Sequence, residues 1–153
     1  MRRLHPEQKA KVAKWLELLD ANDHEQGQYY LKALHGDDNI PHYCCLGVAA
    51  EAVLGRQFIR VAPNDHALVY ESDEDVEGID RQATQLSSKD SFELGLNKMI
   101  YEDEIDKLAE LTDLPVGSIR SNSREGVCVQ LNDRADFTFP EIANVIKEMG
   151  WDQ

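Results

Sequence analysis

The chain has 153 residues, 42% of them apolar and 29% charged, and a formal net charge of −13. That length suffices for one domain with its own hydrophobic core, and no apolar run approaches the ~20 residues of a membrane span, so a soluble single domain over residues 1–153 is expected. Residues 71–113 carry fourteen acids against four bases, a net of −10; such a field repels phosphate backbones and attracts basic surfaces, which counts against direct nucleic-acid binding.

The opening MRRLHPEQKAKVAKW has two arginines but no apolar core behind them, so no secretory leader is expected. Three cysteines, two of them adjacent, make no disulfide framework and suit a reducing cytoplasm. From Pro6 to about Asp20, Val12, Trp15, Leu16 and Leu19 recur at helical spacing, with Asn22 as a stop. GQYYLKALHG predicts a second helix through Tyr30, Leu31 and Leu34, ended by Gly36. Pro41 suits the first turn of a third, and Cys45, Leu46, Val48, Ala49, Ala52 and Val53 make it apolar on most sides until Gly55, as a central buried helix requires. Gly47 inside it costs helix propensity, so another element is expected to press on its bare backbone.

QFIRVA and ALVYES read as a small β-hairpin joined across Pro63-Asn64-Asp65. Residues 71–98 are polar and weakly periodic, and predict a long acidic loop with one helical turn. YEDEIDKLAELTD recovers helical period through Ile105, Leu108 and Leu111, with acids in its first turn where the helix dipole favours them. Asn132-Asp133 is read as a turn between the apolar stretch Val127–Leu131 and a last helix. Thr138-Phe139-Pro140-Glu141 has the form of a capping box, Phe137 and Ile142 are placed for a hydrophobic staple, and Gly150 ends the helix. The fold class expected is α+β, helix-dominated, with a central buried helix and a small hairpin.

Trp15, Gln26-Gly27 with Leu31 behind it, Tyr43-Cys44-Cys45-Leu46-Gly47-Val48, and Leu131-Asn132-Asp133 followed by Phe139, Ile142, Ala143 and Ile146 resemble the pattern of a family of short bacteriophage-encoded proteins. The likeness covers both ends of the chain and leaves the acidic middle uncovered. It implies a phage or prophage accessory protein in the cytoplasm of a bacterial host, and it implies no chemistry.

Cys44 or Cys45 at a helix N-terminus, with His42 or His66 as base, would be the site of a small cysteine hydrolase. Buried cysteine also behaves as a small hydrophobe, and core packing is the expected role here. His35, His42, Cys44 and Cys45 lie close in sequence, but adjacent cysteines diverge on a helix and no paired zinc spacing occurs, so no metal is expected. DANDHEQG fails as a calcium loop, because His24 and Glu25 replace a ligand and the glycine. No phosphate-loop, dinucleotide or serine-hydrolase motif is present, and no cofactor is expected. KLAELTDLPVGSIRS echoes a helix-turn-helix, with Arg120 and Arg124 available for phosphates.

Two binding functions remain. In the first, Glu71, Asp73, Glu74, Asp75, Glu77, Glu102, Asp103 and Glu104 engage a host protein with a basic surface, as an inhibitor or nucleic-acid mimic. In the second, Gln26, Asn132 and Asp133 line a pocket that sequesters a small nucleotide-like signal, with Arg120, Arg124 and Arg134 as its phosphate partners.

Overall fold

A computed structural model describes residues 3–71 and 81–153. Among these, six α-helices and two short antiparallel strand pairs surround one apolar cluster, the helix-dominated α+β class expected. Helix α1 (Pro6–Ala21) buries Val12, Trp15, Leu16 and Leu19 and ends on Asn22 in the left-handed conformation. Strands β1 (Lys32–His35) and β2 (Ile40–Tyr43) form a hairpin. The chain then enters α2 (Cys45–Val48), which continues as a π-helical turn over Ala49–Val53. Strands β3 (Tyr70–Glu71) and β4 (Arg81–Gln82) pair briefly before α3 (Ser88–Glu93), α4 (Glu102–Thr112), α5 (Arg124–Asp133) and α6 (Phe139–Glu148).

The segment from α2 into the π turn is the centre of the molecule: Cys45, Leu46, Val48, Ala49 and Ala50 are inaccessible to solvent. Helices α1 and α5 pack on α2, and α6 packs on α1 and α5. Trp15 is fully buried and its indole N–H donates to the Cys45 carbonyl at 2.8 Å, so the largest core side chain also satisfies the polar atom its burial would orphan. Gly47 meets the close approach expected of it, since a Cβ there would lie 1.7 Å from the Leu31 carbonyl oxygen. The α6 capping box forms, with Thr138 Oγ1 accepting from the Glu141 N–H at 3.3 Å and Glu141 Oε1 accepting from the Thr138 N–H at 3.0 Å.

Four expectations are corrected. Residues 27–36 are no helix: Leu31 N–H donates to the Ala83 carbonyl and Leu34 N–H to the His66 carbonyl, so distant backbone takes the hydrogen bonds a helix would have used. Pro41 lies in β2, and the helix begins at Cys45 with Cys44 as its N-cap. The hairpin expected over 57–62 and 67–72 shrinks to the bridge Ile59–Val69, because Ala67 also bridges Ala33 and Tyr70–Glu71 pairs with Arg81–Gln82. Val127–Asp133 is helical, as part of α5, and its N-cap Ser123 accepts from the Gly126 N–H at 3.1 Å.

Candidate functional site

The cleft is built around Asn132, on the last turn of α5 and 1% exposed. Its Oδ1 accepts from Gln26 Nε2 at 3.0 Å and from the Cys45 N–H at 3.2 Å. Its Nδ2 donates to the Gly27 carbonyl at 2.9 Å and to Asp133 Oδ1 at 2.8 Å. One amide thus ties together α5, the start of α2 and the 25–30 loop, with all its hydrogen-bonding directions occupied. Gln26 Nε2 also donates to the Phe137 carbonyl at 2.7 Å. Gly27 lets the loop lie against β2, where its N–H donates to the Tyr43 carbonyl and a Cβ would come within 2.9 Å of His42 Cβ.

The structure brings Gln26, Asn132 and Asp133 together, but the Gln26 Nε2 and both polar atoms of Asn132 are bonded to one another, to Asp133 and to backbone. Asp133 Oδ1 also accepts from the Tyr29 N–H at 2.9 Å, and Tyr29 sits at φ +71° and is 60% exposed. A bulky residue in that region is strained and needs surroundings that hold it there. Here the anchor is Asp133, and the consequence is that Tyr29 and Tyr30 form one wall of an open cleft of about 620 Å³.

The same cleft is lined by three imidazoles. In the β1–β2 register His42 stands opposite Ala33, so His35 and His42 share a sheet face on a diagonal, and their ring centroids are 4.4 Å apart. His66 arrives from the other side of β1, where its carbonyl accepts from the Leu34 N–H, and its ring lies 6.1 Å from that of His35. Slight desolvation, and then the neighbouring His42 and His66 rings, lower the pKa of the exposed His35 from its ordinary value. Read from the sequence, His42 and His66 are candidate bases for a cysteine, and His35 and His42 are weighed as zinc ligands only alongside Cys44 and Cys45. The available signal was the concentration of all five histidines in the first 70 residues, but hairpin register was needed to turn it into a cluster.

Cys44, Cys45 and Cys128 are free and buried, and Cys45 Sγ donates to the Cys128 carbonyl at 3.6 Å. Burial pushes the Cys44 and Cys128 thiols up to about 12 and raises that of Cys45 as well. His42 Nδ1 lies 3.1 Å from the Ile40 carbonyl and His66 packs edge-on to Tyr30, so the two bases named for a hydrolase are engaged elsewhere. Thiols held protonated in the core are poor nucleophiles.

The three arginines assigned to the pocket do not line it. Arg124 is 4% exposed and its guanidinium stacks 5.4 Å from the Trp151 ring, whereas Arg120 and Arg134 are exposed and do not line the cleft. The helix-turn-helix echo fails too, because the link from Asp113 to Ser123 is long and holds a 3-10 turn at Val116–Ser118. Of the acidic set, Asp73, Glu74, Asp75 and Glu77 lie outside the described residues. Glu71, Glu102 and Asp103 are exposed, and Glu104 is half-buried with its carboxylate accepting from the Trp151 indole at 3.2 Å. Among the described residues, no helix is long and apolar enough to cross a membrane. No family model, no curated protein and no solved structure matches the chain.

Proposed function

We propose that the protein works by binding, and that it holds a small ligand in the cleft between the 26–30 loop and the histidine face of the hairpin. The observation that carries this reading is Tyr29, kept in a strained conformation by Asp133 and so presenting an exposed ring to the cleft. Backbone strain that a buried amide network maintains is costly unless the side chain it aims is used. The phage-accessory setting comes from the resemblance of the Trp15, Gln26-Gly27, Tyr43–Val48 and Leu131–Asp133 pattern alone.

Tyr29→Gly separates fold from function here. Glycine accepts a positive φ without penalty, so the variant should gain about 1 kcal/mol of stability while losing the ring. Wild-type protein, purified gently at low salt from a bacterial host, should carry a small extra mass in a native mass spectrum, and the variant should melt higher without it. A wild-type spectrum free of adduct, or equal retention by the variant, would sink the reading.

A second reading is favoured by the outer face of α4, where Glu102, Asp103, Asp106 and Glu110 are exposed beside the exposed rings and chains of Tyr101 and Leu111. Apolar anchors among carboxylates suit a host protein with a basic surface. Its co-purification should fall steeply between ~50 and ~500 mM salt, since exposed charge pairs are screened over about 10 Å at 0.1 M. Salt-insensitive capture would count against it.

A further inference from the structure

We propose that the cleft holds its small ligand by a guanidinium group, which lies against the tyrosine wall and pairs with the Asp136 carboxylate. The proposal deepens the ligand-binding reading and rests on the same cleft. Among the described residues, six of the side chains lining it carry rings: Tyr29, Tyr30, Phe137 and the three imidazoles. The face of an aromatic ring is electron-rich and attracts a cation placed over it. Tyr30 and His66 meet at 87° with centroids 5.4 Å apart, so their planes make a corner rather than a closed stack. An edge-on contact of that kind leaves the faces of one ring uncovered by the other.

Charge and hydrogen-bonding capacity select the ligand group. Among the described residues no lysine or arginine lines the cleft, and its carboxylate is that of Asp136, which accepts from Gln28 Nε2. Asp133, whose Oδ1 accepts from the Tyr29 N–H, adds a second carboxylate beside the tyrosine wall. Cations on neighbouring segments are engaged elsewhere: Arg60 donates to the Asn39 side chain and the Pro63 carbonyl, and Lys32 pairs with Glu51. Gln26 and Gln28 spend their amide nitrogens on Asn132, the Phe137 carbonyl and Asp136, so amide and carboxylate oxygens are the acceptors a ligand meets.

A guanidinium is the complement of such a lining. It carries a permanent charge, a flat face that stacks on aromatic rings, and N–H donors in a fork that matches a carboxylate. A phosphate would find no fixed cation here, in a chain of net charge −13. An ammonium group would satisfy the charge but has no flat face to lay against a tyrosine.

The full-length chain, labelled with 15N and held at about pH 8, above the usual titration range of imidazole, should be titrated with N-acetylarginine amide while backbone amide NMR shifts are followed. Saturable shifts are expected for one site per chain, concentrated at Gln26 to Tyr30, His35, His42, His66 and Asp136. N-acetyllysine amide, of equal charge, should bind about tenfold more weakly, and AMP should have no effect. Asp136→Asn should weaken the arginine compound about tenfold, as loss of a charged partner does, and Tyr29→Gly should weaken it as well. Glu148→Gln, which removes an exposed acid of α6, should leave it unchanged. Equal affinity for the lysine compound would reduce the effect to general charge attraction and overturn the proposal. Unchanged affinity in Asp136→Asn, or no saturable shifts in the cleft, would also overturn it. An anionic ligand carried by wild-type protein in the native mass spectrum and lost from Tyr29→Gly would keep the cleft and discard the guanidinium, whereas no adduct together with no arginine binding would discard both.

Discussion

Gly47→Ala is expected to cost on the order of 4 kcal/mol, enough to remove much of the ~5–15 kcal/mol that holds a domain of this size together. The added methyl would fall 1.7 Å from the Leu31 carbonyl oxygen and 2.5 Å from its carbon. Neither atom can yield alone, because that oxygen also accepts from the Cys44 N–H at 3.2 Å and so helps start α2. Alanine is normally the better helix former by about 1 kcal/mol, so the local and tertiary effects have opposite signs and the tertiary one wins. Urea unfolding followed by circular dichroism would measure the loss, with Gly117→Ala as the control, since nothing lies within 4 Å of a Cβ there. Wild-type stability in Gly47→Ala would mean that the Leu31 backbone does not press on α2 as described.

Asn132→Leu is expected to cost about 3 kcal/mol or more, because it leaves the Cys45 N–H, the Gly27 carbonyl and the Gln26 amide without the partner they were desolvated to meet. Replacing one member of a satisfied network with an apolar side chain of similar size saves no volume and orphans the rest. Asn132→Asp sharpens the test. It keeps the oxygen that accepts from Gln26 and Cys45, loses the donor to Gly27, and sets a second carboxylate against Asp133. It should be intermediate at pH 5 and worsen toward pH 8. Hydrogen exchange should accelerate at Cys45 in Asn132→Leu, whose side chain no longer accepts from that amide, and at Tyr29 in both variants, since its acceptor Asp133 loses the Asn132 Nδ2 donor. Unchanged protection at both amides would show that the network does not hold the cleft loop.

These two positions also mark how far the sequence could be read. Helices α1, α4 and α6 were legible because their information is local: apolar residues at i, i+3 and i+4, acids in the first turn of α4, and a Thr138–Glu141 box whose two partners are three residues apart. Gly47 was legible as an anomaly, a helix breaker with no local use. The hairpin was not, because Tyr30, Leu31 and Leu34 fit a helical face about as well as Leu31 and Ala33 fit an alternating one. The choice between them lay in His66 and Ala83, which take the backbone hydrogen bonds.

The candidate site divides the same way. Gln26, Asn132 and Asp133 could be grouped from the sequence, but whether their amides faced a ligand or one another depended on α5 packing against α2. The arginines were assigned to that pocket by type and nearness in sequence, and Arg124 instead stacks on Trp151 at the far end of the chain. The histidines follow no metal-binding spacing, and the β1–β2 register together with the bridge at Ala67 brings their rings side by side.

The sequence by itself determined the class of the fold, the burial of Cys44 and Cys45 and the extents of α1, α4 and α6, because composition, periodicity and capping act over a few residues. Tertiary structure alone decided which segment became the hairpin, how Asn132 spends its amide, and that three imidazoles share a cleft with a strained tyrosine. Those outcomes depend on hydrogen-bond partners tens of residues away, and no local pattern encodes which distant backbone will satisfy a buried amide.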